Sequence, residues 1–273
     1  MKRILLFIFI ITISINSSSI HAQHKSRARS SKTTRTTAKR SSPQTKNDTA
    51  SVLTFTVNGV QFDMIRVEGG SFMMGDNDSY LEKPIHQESV KDFYIGKYEV
   101  TVELWMAVMG DKPFEVKDDM LCPIDYVSWD KCILFIEKLN KMTGRKFRLP
   151  KDTEWEFAAR GGNKSKGYRY SGSNNQKEVA WCENPYGSIH QVGQKLPNEL
   201  GLYDMSGNVW EWCQDTFYLF EGCTEKFIYK NIEEHRVMRG GAFYCYEGNC
   251  TVSARHFEMH NYGTYGMGLR LVL

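Results

Sequence analysis

Hydrophobic positions change period several times along this chain, and each change marks an element. Phe62–Val67 reads as a strand. Gly69-Gly70 turns the chain toward a partner strand, Ser71–Met74, and Phe93–Val100 reads as another. Thr101 can cap a helix that runs through Met109 and ends at Gly110. Ser128 can cap a second helix, in which Cys132, Ile133, Phe135, Ile136, Leu139 and Met142 recur at helical spacing before Gly144 stops it. These apolar residues read as core, not as cofactor contacts. Phe147–Pro150 is extended, and Asp152–Arg160 forms a third helix ended by Gly161-Gly162. From Gly162 to about Arg236 no period survives, and Gly, Asn, Ser and Tyr surround isolated Trp residues. Two apolar strands, Arg236–Phe243 and Gly266–Leu273, close the chain. So long an irregular middle argues against a compact fold unless metal ions or disulfides organise the loops.

The two ends of the sequence differ in kind. Met1-Lys2-Arg3 precedes an apolar run, Ile4–Ile15, of 12 residues. That is short of the roughly 20 that span a membrane. A basic start, a short apolar run and the small-residue exit Ile20-His21-Ala22 predict a cleavable signal peptide over 1–22, and hence a secreted or periplasmic protein. Residues 23–50 hold almost only Ser, Thr, Lys, Arg and Gln, too little apolar surface to offset ordering entropy, and read as a disordered basic linker that could touch the cell envelope. Eight of the 35 basic residues lie there, two more precede it, and only one of the 32 acids does. The domain, 51–273, therefore carries a formal net charge of −6. With no basic aromatic stripe, it is no nucleic-acid binder.

Several segments, in order, resemble the formylglycine-generating enzyme family, also called the sulfatase-modifying factor family. They are Val67–Gly75, Phe93–Thr101, Val127–Trp129, Phe147–Pro150, Glu154–Gly162, Gly201–Trp212, Arg239–Gly241 and Gly268–Arg270. The resemblance implies an α+β, irregular, loop-rich, C-type-lectin-like fold with short helices and a small twisted antiparallel sheet, often with bound calcium. It also accounts for the irregular middle.

Two sites follow. Asp204 and Glu211 bracket a Gly-containing turn, and calcium takes mixed carboxylate and carbonyl oxygens. By resemblance to the family's calcium loop, Asp204 and Glu211 would give side chains, and Gly207 and Val209 carbonyls. The alternative is a tight turn whose side chains bond backbone. Seven cysteines leave an odd thiol in an exported protein, and their pairing is not readable. Cys245 and Cys250 match, in offset from Gly240-Gly241, the two active-site cysteines of the family's enzymes, which hold copper(I) between thiolates and oxidise a peptide cysteine to formylglycine. A local disulfide and a coincidence are the other readings of the pair. Ala242 departs from the serine usual after the two glycines. His256–His260 has the wrong spacing for a zinc helix.

A second function class comes from the stretch Phe243–Tyr265. Its Phe, Tyr, Cys, Gly, Asn, Thr and His residues are all reachable from an Asn codon by changing adenines only. This is similar to the variable region of retroelement-diversified proteins, which display a ligand-binding surface on the same fold. Aromatic and small polar residues suit such a surface. The expected partner is thus a peptide or protein, as substrate or as ligand.

Overall fold

The computed structural model describes residues 50–273 except 114, 117, 183–186 and 225–231. The expected signal peptide, and the expected linker up to residue 49, lie outside the described residues. In chain order the strands are β1 (Val52–Val57), β2 (Val60–Val67), β3 (Gly70–Met74), β4 (His86–Val90), β5 (Phe93–Gly96), β6 (Trp210–Thr216), β7 (His235–Arg239), β8 (Arg255–Met259) and β9 (Met267–Gly268). The helices are α1 (Val102–Met109), α2 (Trp129–Thr143), α3 (Asp152–Ala159) and the single turn α4 (Gln176–Val179).

The sequence signals for the helices act as written. The Thr101 hydroxyl accepts from Leu104 N and starts α1, and Gly110 ends it at φ 89°. Ser128 accepts from Lys131 N to start α2, and Gly144 ends it at φ 66°. Helix α3 lacks a capping side chain at Lys151; its first N–H groups go to Glu154, three residues on, and to Asp215 on β6. All of α3 but Thr153 is buried, its charged residues included. Asp152 is held by Arg239 and Arg255, and Glu156 by Arg239 and Arg160. Buried charges persist only when paired and hydrogen-bonded in this way.

Among the described residues the strands form small sheets, three in number and mostly antiparallel. β1-β2-β5 is antiparallel, and β1 and β2 are joined by the Asn58-Gly59 turn, both residues at positive φ as a two-residue type I′ hairpin requires. β3 pairs with β4. The third sheet runs β8-β7-β6-β9, and β9 lies parallel to β6. One hydrophobic core joins α1 and α2 to β2 and β6, with Trp105 stacked on Phe135 at 5.0 Å. A second packs α3 against β5, β7 and Phe217. The loop 201–209, inside the stretch with no readable period, gives Leu202 and Met205 to this second core.

Candidate functional site

The loop into β6 is shaped by its backbone. Asp204 and Asn208 sit at φ 58° and 63°, and Gly207 at φ 82°. Asn and Asp tolerate this region through short polar side chains, and Gly has no Cβ to clash. A Cβ on Gly207 would collide with the Trp181 carbonyl. Asn208 then ties its loop to four other points of the chain. Its N–H donates to Trp181 O at 2.8 Å, and its carbonyl accepts from Phe243 N at 2.9 Å. Its side chain accepts from His190 N and donates to Glu99 at 2.8 Å.

Below this loop lies a buried charge cluster that the sequence reading did not assemble. Arg270, fully buried, donates to both oxygens of Glu211 at 2.6–3.0 Å, and to the carbonyls of Gly96 and Tyr203. Glu211 also accepts from Trp155 Nε1 at 2.6 Å. Asp204 accepts from Gly193 N at 2.7 Å through Oδ2, while its buried Oδ1 has no partner. Glu99 accepts from Val209 N and Asn208. Burial, then the charges of Asp204 and Glu211, push the Glu99 carboxyl well up. Three carboxyls thus share one guanidinium. They act on one another through charge; among the described residues no three His, Cys, Asp or Glu side chains converge as a metal cage.

Burial pushes the Asp204 carboxyl up to about 6, against the Gly193 hydrogen bond and Arg270, which pull it down. A carboxyl raised from 3.8 holds its proton longer in the folded state. Its contribution to stability is therefore complete below the unfolded value and lost as pH rises through the folded one, roughly 3 kcal/mol in all. Asp204→Asn keeps the left-handed backbone and removes the titration. With calcium chelated, the stability difference between wild type and this variant should shift toward the variant between about pH 4 and 6. A difference flat with pH, by urea denaturation, contradicts this reading of Asp204.

The cysteines lie above the loop. Cys250 is joined to Cys182, 68 residues away in sequence. Gly241, at φ 77°, makes room for that bond, since a Cβ there would lie 2.5 Å from Cys250 Sγ. Cys245 remains a buried thiol, and Cys182 Sγ lies 3.1 Å from its carbonyl oxygen. Burial raises the Cys245 thiol above its ordinary range; the Ala242 backbone and the Trp210 indole only partly offset this. Of the three readings of Cys245 and Cys250, the structure has neither a thiolate pair nor a disulfide between the two. It gives Cys250 a distant partner. As the pair stands it does not offer copper(I) two thiolates, because the Cys250 sulfur is already bonded to Cys182.

The stretch that holds Cys245 and Cys250 also presents aromatic side chains: Tyr246, Tyr262 and Tyr265 are 64%, 49% and 45% exposed, and Asn249 is exposed too. Tyr265 packs on Tyr244 at 4.6 Å, and Phe243 on Tyr244 at 5.2 Å. Within the stretch Phe243–Tyr265, Tyr244 and His256 are half-buried, with the His256 ring centroid 5.2 Å from that of Trp210. His260 is spent on Asp130 at 2.8 Å, across to the start of α2.

This fold and loop arrangement define a class. The chain belongs to the sulfatase-modifying factor enzyme 1-like domain family, whose profile matches residues 52–273. It is 37% identical over 205 residues to the chaperone protein LppX of Paenibacillus barcinonensis, across 56% of this chain and 71% of that one. It is 29% identical over 280 residues to the formylglycine-generating enzyme of Streptomyces coelicolor, across 76% and 87%. Among solved structures, Treponema denticola variable protein 1 superposes with a TM-score of 0.73 at 28% identity, over 82% of this chain and 99% of that one.

Proposed function

We propose that this is an exported, non-catalytic ligand-binding domain whose contact surface is the aromatic face around Tyr246, Tyr262 and Tyr265. The carrying observation is the Cys182–Cys250 bond, which takes one of the two sulfurs that copper chemistry would need and staples the exposed loop to the frame. Exposed tyrosines on a fixed loop offer contact area at low entropic cost. The likeness to variable protein 1 supports this reading over the whole domain. The test is selection of a displayed random-peptide library on the full mature chain, counter-selected on the Tyr246→Ser/Tyr262→Ser/Tyr265→Ser variant. Peptides that bind wild type and not the variant are expected. No enrichment, or equal binding to both, overturns the reading. If the loop is diversified by a retroelement, the codons of Tyr244, Tyr246, Asn249, His256 and Tyr262 share one third-base type and a near-copy template lies nearby; mixed third bases with no template remove that part.

The oxidase is the second reading. The offset of Cys245 and Cys250 from Gly240-Gly241 and the Streptomyces relative favour it. It requires the Cys182–Cys250 bond to be reduced.

Calcium belongs to the structural side of the proposal. The buried Asp204 Oδ1 lacks a partner, and three carboxyls face one guanidinium, so a cation suits the loop electrostatically. Asp204 and Glu211 side chains and the Gly207 and Val209 carbonyls would hold it, Glu211 while still paired with Arg270. Its charge would keep the acids ionised and the turn closed. Calcium at a hundredfold excess over Kd should add about 2.7 kcal/mol of stability, read as a rise in Tm over chelated protein. An identical Tm in chelator and calcium contradicts the assignment.

A further inference from the structure

Beside the exposed tyrosines an open cleft of about 520 Å³ runs between the turn at Phe243 and the segment at Tyr126. Glu115, Asp125, Tyr126, Phe243 and Tyr265 contribute to its walls. Among its described lining residues two are carboxylates, and none is Lys, Arg or His. We propose that this cleft binds an organic cation, an ammonium or guanidinium group. The proposal rests on the ligand-binding reading above and adds the chemistry of the ligand.

Three features of the cleft support it. The first is charge. Asp125 is buried at the base, where its Oδ2 accepts from Gly266 N at 2.9 Å, and Glu115 is exposed at the rim. A cation entering there meets two carboxylates, and the net negative domain raises its local concentration. The second is the set of rings. Phe243 and Tyr265, with centroids 6.1 Å apart, lie on one side and Tyr126 is also in the wall. Aromatic faces attract ammonium and guanidinium groups and repel anions. The third is backbone strain. Tyr126 sits at φ 56°, where a bulky side chain is a true outlier, and its N–H is held by Thr264 O at 3.2 Å. Strain of this kind gathers at binding sites, where the surroundings over-determine it. The Tyr126 hydroxyl reports the same negative potential: it is raised first by burial, then by Asp125 and Glu115.

The test uses the mature chain with 13C-labelled tyrosine rings, titrated by NMR with four probes. These are tetramethylammonium, Nα-acetyl-arginine methylamide, its neutral counterpart Nα-acetyl-citrulline methylamide, and the anionic Nα-acetyl-glutamate methylamide. Both cations should shift the Tyr126 and Tyr265 signals, with citrulline at least about fivefold weaker and glutamate weaker still. Glu115→Gln, an exposed and structurally mild change, should weaken the cations about fivefold. Tyr265→Leu should do the same through loss of a ring face. Citrulline binding as tightly as arginine, or cation binding indifferent to Glu115→Gln, overturns the cation assignment while leaving a ligand-binding cleft. No shift with any probe also overturns it, and the display selection then decides separately whether the aromatic face binds anything.

Discussion

Arg270→Leu should cost about 3–5 kcal/mol, enough to remove most of the stability of a domain of ordinary margin. The side chain is fully buried and makes hydrogen bonds to Glu211, Gly96 O and Tyr203 O, so it ties β9's end to β5, β6 and the loop before Asp204. Its loss strands Glu211 beside Asp204 and Glu99 with no compensating cation. Arg270→Lys keeps the charge but not the fork that reaches both Glu211 oxygens and two carbonyls, so it should fall between. Glu211→Met/Arg270→Met removes both charges and should recover part of the loss, because an unpaired buried charge is costlier than an apolar pair. Urea denaturation midpoints measure all three. An Arg270→Leu domain as stable as wild type would show that the cluster is an incidental feature of the loop.

The second large effect concerns the Cys182–Cys250 bond. Cys182→Ser/Cys250→Ser opens a loop of 68 residues, whose closure contributes about 4 kcal/mol in the chain-entropy account. The loss should localise as well as destabilise. Cys250 ends the short turn Glu247–Cys250, and Cys182 neighbours Trp181, which receives the Asn208 N–H. Without the bond, Tyr246 and Asn249 lose their anchor to the frame. Hydrogen exchange should therefore rise first in 243–250 and in the 204–209 loop, before β7 and β6 open. Unchanged exchange in 243–250, with an unchanged midpoint, would mean the bond contributes nothing to the binding face.

Much of this was legible in the sequence, for identifiable reasons. α1 and α2 announce themselves because Thr101, Ser128, Gly110 and Gly144 act locally, within one turn of the residues they cap. β6 was not legible. It is interior to its sheet and buried at Trp210–Cys213, the charged Glu211 included, and it follows turns fixed by Asp204, Gly207 and Asn208. β8 was hidden in the mixed stretch after Cys250, since its residues pair with β7 while His256 and Phe257 stay half-buried. The family motifs set Asp204 with Glu211 and Cys245 with Cys250, as two separate sites, but did not give their partners. Arg270 stood in a quoted motif as a charged residue amid apolar ones, a signal of a buried pair, but spacing cannot pick out Glu211 as its partner across 59 positions. Cys182 lay 68 residues from its partner, and no rule of sequence selects it among seven cysteines.

The binding reading and the oxidase reading part on one chemical fact, whether Cys245 and Cys250 can act together as thiolates. The direct measurement takes the mature chain with Cys182–Cys250 reduced, loads it with copper(I), supplies oxygen and a set of Cys-x-Pro-x-Arg-type peptides, and follows peptide mass. The account predicts that no peptide cysteine becomes an aldehyde, because the Cys245 sulfur is buried in the folded domain, out of reach of a peptide. Conversion of the peptide cysteine to formylglycine, abolished by Cys245→Ala and by Cys250→Ala, would contradict it.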